Sequence, residues 1–160
     1  MTCRSVVLEP VTRAVIADLI PRLRPVDRLE LDLMGTGEAE RDLERLAGQS
    51  RRSMAAYMSG ELVCIFGIKA MGILSDVGCP WAMMTRQVDR PEVRRAFIAN
   101  SGPVVDWLGQ DVRRMWNLVA EENTTAIRWL KWLGFRFDGR AVTVQGHRLL
   151  HFEMETKDVR

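Results

Sequence analysis

Residues Asn123 to Phe135 read NTTAIRWLKWLGF, a stretch that holds a helix start, an apolar stripe and a helix stop in that order. The side-chain oxygen of Asn123 suits an N-cap. Ala126, Trp129, Leu130 and Leu133 recur at three- and four-residue spacing, and Gly134 supplies the left-handed residue that closes a helix. Alone, this is an amphipathic core helix. Its neighbours add order: the apolar run Met115 to Ala120 precedes it, Glu121 and Glu122 end that run, and Phe135 opens another strand-like run. The local order is strand, capped helix, glycine-phenylalanine, strand.

Working outward, Arg4 to Glu9 reads as a strand stopped by Pro10, and Val11 to Leu23 as a helix broken near Pro21 and Pro25. Asp27 to Gly37 is ambiguous, because Leu29, Leu31 and Leu33 alternate with Glu30 and Asp32; it fits a short helix or an extended loop. Glu38 to Ala47 has helical composition and ends at Gly48. Arg52 to Met58 and Glu61 to Lys69 form two apolar runs around Ser59-Gly60, the signature of a tight hairpin. Gly78 to Arg86 is a further strand, and Pro91 to Leu108 a long helical pattern with an irregularity at Gly102-Pro103. Ala141 to Val144 and Leu149 to Met154, separated by Gln145-Gly146-His147, read as a closing hairpin. The order is strand, two helices, three strands, helix, strand, helix, two strands, which suits a sheet with helices on its faces.

At 160 residues, with 47% hydrophobic and 28% charged residues, the chain has the size of one globular domain, and no second domain is expected. A net charge of +2 and the lack of an aromatic-basic motif argue against nucleic-acid binding. Lysine occurs only at 69, 131 and 157, so the basic residues are mostly arginine, a bias that a GC-rich genome explains. Cys3, Cys64 and Cys79 form no CxxC pair and lack zinc-site spacing, so reduced thiols and no metal are expected. There is no run of roughly 18 apolar residues and no cleavable leader, which points to a cytoplasmic location and no membrane.

Asn123, Ala126, Gly134 and Phe135 match the N-x-x-A helix with a glycine-phenylalanine ending of the Gcn5-related N-acetyltransferases, which this chain resembles. The words LVAEENTTAIRWLKWLGF and PWAMMT, with the doubled Trp129 and Trp132, further resemble small phage proteins of that fold, internal virion protein A-like proteins and phage acetyltransferases. The resemblance implies an α/β (α+β) fold. Its central sheet would be mixed and mostly antiparallel, with helices on both faces and parallel strands four and five splayed at their carboxyl ends, here Cys79 to Arg86 and Met115 to Glu121. It also implies acetyl-coenzyme A as cosubstrate and an amine acceptor, on a protein or a small molecule. The alternative it allows is a catalytically silent fold used in virion assembly or on a host protein, in the bacterial cytoplasm or the virion.

The same resemblance assigns candidate residues. Backbone groups near Ala82, Met83 and Met84 would pair with the pantetheine amides like an added strand. Pyrophosphate would sit after that strand, where Thr85 to Arg95 contains no glycine; Arg86, Arg90, Arg94 and Arg95 are the candidates to replace a glycine cradle by charge. Asn123 would lie at the coenzyme and at the catalytic centre. The tyrosine that many relatives place seven residues after the asparagine is replaced by Leu130, which has no proton to donate. For the base that deprotonates the amine, Glu121 comes first. Glu122, Glu30 and Asp32 are further candidates. Asn117, between Trp116 and Leu118 in an apolar run, needs hydrogen-bond partners if buried and is a candidate for holding the sheet open.

Overall fold

The computed structural model describes residues 5–156; Cys3, Arg4 and Lys157 lie outside them. Seven strands form one sheet in the order β1-β2-β3-β4-β5-β7-β6. They are β1 (Val6–Glu9), β2 (Ser50–Met58), β3 (Glu61–Ala70), β4 (Val77–Met84), β5 (Arg114–Ala120), β6 (Ala141–Val144) and β7 (His147–Glu155). Every pairing is antiparallel except β4 with β5. The helices are α1 (Arg13–Leu19), α2 (Pro25–Met34), α3 (Ala39–Gly48), α4 (Pro91–Leu108) and α5 (Thr124–Leu133), with short 3₁₀ turns at Ile20–Arg22 and Arg86–Asp89.

The local chemistry accounts for the elements. The β2–β3 hairpin turns on Ser59 and Gly60, both at positive φ (52° and 76°), the type I′ geometry whose twist matches paired strands. In α5, Asn123 accepts from Ala126 N at 3.3 Å and Gly134 closes the helix at φ 104°. Leu130 is buried, Trp129 and Leu133 pack against the same core, and Trp132 is 64% exposed. The ambiguous early segment is helical. Pro25 occupies the first turn of α2, where its missing N–H costs no hydrogen bond, and the helix buries Asp27, Glu30, Leu31 and Leu33. The irregularity expected at Pro103 does not interrupt α4.

Two cores result. On one face, α4 and α5 cover Cys64, Phe66, Ile68, Met84, Met115, Val119 and Phe152. On the other, α1, α2 and α3 cover Ala55, Leu62, Ile65, Trp81 and Met83. Among the described residues no helix is long and apolar enough to cross a membrane.

Candidate active site

The parallel ladder between β4 and β5 holds only at Val77 with Arg114 and Gly78 with Met115; beyond that the strands part. Pro80 lies at the point of divergence. Strand alternation turns the peptide groups of Pro80, Ala82 and Met84 toward β5, since Thr85 N is bonded to Val63 O on β3 and Arg24 N reaches Met84 O from the opposite edge. Proline has no N–H, so the next rung cannot form there. The Asn117 amide bridges this place instead, its Nδ2 donating to Pro80 O at 2.9 Å and its Oδ1 accepting from Leu118 N at 2.7 Å.

Past this bridge the gap is open, and α2 lies across its mouth. Asp27 Oδ1 accepts from Met84 N at 3.4 Å, and Arg24 N donates to Met84 O at 3.0 Å, so the tip of β4 is tied to α2. One helical turn on, Glu30 Oε1 accepts from Ala120 N at 2.9 Å at the tip of β5, and from Asn123 Nδ2 at 3.0 Å. Two carboxylates three residues apart on one helix face thus hold the two strand tips separately. Between Pro80 and Met84, Ala82 is the peptide on this edge left for a ligand. The peptide groups of Met83 turn toward β3.

The electrostatics follow from burial. Glu30 is 7% exposed, and desolvation pushes its carboxyl up to about 7, against the pull of the Asn123 and Ala120 hydrogen bonds. Asp27 is also raised by burial, although Arg24 Nε lies 2.6 Å from its Oδ2 and opposes the shift. Both hydrogen bonds to Glu30 fall on Oε1, and Glu30 lines a cavity of about 450 Å³. Asn117, Asn123, Ala82 and Leu130 line it too.

Glu121 and Glu122 stand elsewhere. Both follow the last residue of β5, in a turn where strand alternation no longer applies, and both reach toward β7. Glu121 pairs with Arg148 at 3.4 Å, its side chain 52% exposed, and Glu122 with His147 Nδ1 at 2.5 Å, which lowers the Glu122 carboxyl. Asp32 faces solvent with Arg28. Burial pushes the Cys64 thiol up to about 12, fitting a protonated core residue.

The four arginines cluster where β4 meets α4. Arg86 is exposed in the 3₁₀ turn, Arg90 caps α4 and pairs with Glu92 at 2.6 Å, Arg94 lies 3.7 Å from Asp89, and Arg95 Nε donates to Pro91 O at 3.4 Å. The turn uses its own amides. Gln87 N bonds Thr85 Oγ1, Val88 N bonds Thr85 O and Arg90 N bonds Gln87 O, so these N–H groups do not form a cradle for an anion. A phosphate here would rest on guanidinium groups. Among the described residues no group of three or more His, Cys, Asp or Glu side chains is arranged to hold a metal ion.

No family model matches the sequence, and no curated protein matches it. Solved structures do match the fold. A GNAT-family acetyltransferase from Streptococcus pneumoniae aligns over 96% of this chain and 100% of its own, at a TM-score of 0.63 and 14% identity. The spermidine N-acetyltransferase of Vibrio cholerae, solved with coenzyme A and spermine, aligns over 94% and 95%, at 0.67 and 13%. The aminoglycoside acetyltransferase AAC(6')-Ib, solved with ribostamycin and coenzyme A, aligns over 94% and 93%, at 0.67 and 18%. With its mostly antiparallel sheet, its parallel but diverging β4 and β5 and its helices on both faces, the chain has the fold of the GNAT acetyltransferases.

Proposed function

We propose that this protein is an acyl-coenzyme A-dependent N-acetyltransferase in which Glu30 is the general base. The observation that carries the reading is a buried carboxylate, raised to about 7, held at the mouth of a strand gap and lining its cavity. A base with a pKa near the working pH combines availability with proton affinity. The thioester arm would lie along β4, its amide meeting the Ala82 peptide as an added strand would. The acceptor amine attacks the thioester carbonyl; the new C–N bond forms as the C–S bond breaks, the amine proton passes to Glu30 Oε2, and the coenzyme leaves as thiolate. With Leu130 in place of a phenol, that thiolate takes its proton from solvent. The position of Glu30 favours it over Glu121, which is exposed and paired to Arg148.

The test is calorimetric titration with acetyl-coenzyme A, followed by thioester turnover against amines that include polyamines and aminoglycosides, the acceptor types in the neighbouring structures. Activity should rise with pH through about 7, as Glu30 loses its proton. Arg90→Ala with Arg94→Ala should weaken coenzyme binding by about 1–3 kcal/mol, below the sum of two charged hydrogen bonds because both guanidiniums already face carboxylates. An unchanged Kd in the folded double variant would remove the arginines from the phosphate site.

The words PWAMMT and LVAEENTTAIRWLKWLGF support a phage-encoded enzyme acting in the host cytoplasm. A second reading, a silent member of the fold that serves in the virion or binds a host protein, is favoured by the internally bonded amides of the 3₁₀ turn and by Leu130. Failure to bind coenzyme at millimolar concentration would select it.

A further inference from the structure

Glu30 reaches the strand gap from α2, so the amine it serves enters on the sheet face that carries α2 and α3. That face is left partly uncovered. α2 crosses the strand tips, while α3 runs down to the start of β2, where Ser50 Oγ donates to Leu46 O at 2.7 Å. Between the two helices stand Met34, 44% exposed, Arg45, its side chain 58% exposed, the exposed Gln49, and the partly exposed Lys69 and Cys79, all lining the same cavity as Glu30. Lys69 is the register partner of both Ser50 and Cys79, which places it beside the last turn of α3.

The charge available on this approach is positive. Arg24 is engaged by Asp27. The oxygens of Asp42 accept from Thr36 N and Thr36 Oγ1 at 2.8 Å each, so its hold on Arg45 is loose, at 3.7 Å. Lys69 pairs with no carboxylate among the described residues; burial raises the neighbouring Cys79 thiol, and the Lys69 ammonium opposes that shift. A polyamine entering here would meet two cations, whereas a carboxylate would meet two partners. The separation is also defined. Three residues of β4, roughly 10 Å, lie between the open Ala82 peptide and Cys79, and three extended peptide residues span about the same length.

Resting on the acetyltransferase reading above, we propose that the acceptor is a short peptide, its terminal amine at Glu30 and its terminal carboxylate at Lys69 with Arg45 alongside. A terminal α-amine, with an ordinary pKa of about 8 against about 10.4 for a lysine-type amine, also supplies far more of the neutral nucleophile near neutrality.

The experiment measures turnover of acetyl-coenzyme A by the full chain with triglycine, triglycinamide and spermine as acceptors. The free acid should exceed the amide by about ten- to thirtyfold in kcat/KM, the lower part of what a charged hydrogen bond contributes because Lys69 is partly exposed, and spermine should be the poorest of the three. Lys69→Gln should bring the acid-to-amide ratio to near one, and Lys69→Glu should invert it. Alkylation of Cys79, followed by mass mapping, gives a readout on the unaltered protein that needs no turnover: with coenzyme A present, triglycine should slow it and triglycinamide should slow it less. Amide or spermine turnover equal to that of the free acid overturns the peptide assignment and leaves the acetyltransferase reading standing. A preference for the acid that survives Lys69→Gln overturns the placement of the carboxylate. Turnover of none of the three, with Cys79 alkylated equally fast throughout, overturns this inference, and absence of coenzyme binding in the calorimetric titration overturns the acetyltransferase reading with it.

Discussion

Replacing Glu30 by glutamine should lower kcat by about 10²–10⁴-fold, the usual contribution of a positioned general base, while leaving the protein at least as stable at pH 8. The two effects share one cause. Because burial raises the Glu30 carboxyl to about 7 from an ordinary value of 4.5, the folded protein holds a proton between those values that the unfolded chain has lost. Stability therefore falls as pH rises through that window, by on the order of 3 kcal/mol when the shift is converted directly. Glutamine keeps an oxygen for Ala120 N and Asn123 Nδ2 and has no charge to bury, so its melting temperature should lack this decline. Melting curves at pH 5 and pH 8, beside single-turnover rates, check both parts. A variant that keeps its kcat would remove Glu30 from the chemistry. Glu121→Gln is the control and should leave kcat near that of the unaltered protein, because its carboxylate is exposed and paired with Arg148.

Asn123→Ala should destabilise the protein by about 2–4 kcal/mol at pH 8, because one side chain serves two structures. Its oxygen caps α5, a contact typically worth about 1 kcal/mol, and its amide donates to a buried carboxylate, worth about 1.5–3 kcal/mol. The loss should be smaller at pH 5, where Glu30 is protonated and accepts more weakly. That amide also lowers the Glu30 carboxyl, so its removal should move the midpoint of the pH–rate profile above about 7. Denaturant melts at the two pH values and the kcat/KM profile give the measurement. A cap-only loss with an unmoved midpoint would separate Asn123 from the base.

The sequence shows the strands, the hairpin at Ser59-Gly60 and the capped α5 plainly, because turn chemistry and apolar spacing are local properties. It hides α2. There the inward positions Asp27 and Glu30 are charged, so burial runs against the hydrophobic pattern and the three leucines mimic a period of two. Glu30, which the sequence ranks below Glu121, is the carboxylate that the fold buries at the strand gap, and it is the base of the proposed reaction. A signal was available in retrospect: Asp27 and Glu30 are one turn apart just after Pro25, a helix-starting proline. The divergence of β4 and β5 is hidden for another reason. Pro80 reads as one residue in an apolar run, and its effect depends on which strand lies on its unpaired side.

The ties from α2 to Met84 and Ala120 also bear on how the molecule breathes. These two amides sit on different strands that share no ladder at this height, yet each is protected by a carboxylate on the same ten-residue helix. In native-state hydrogen exchange they should open together, at a rate set by the undocking of α2 and unlike that of the β4 amides facing β3. Opening of that helix would free both strand edges and carry Glu30 away from them in one event, so the arrangement at the strand gap would come apart well before the sheet melts.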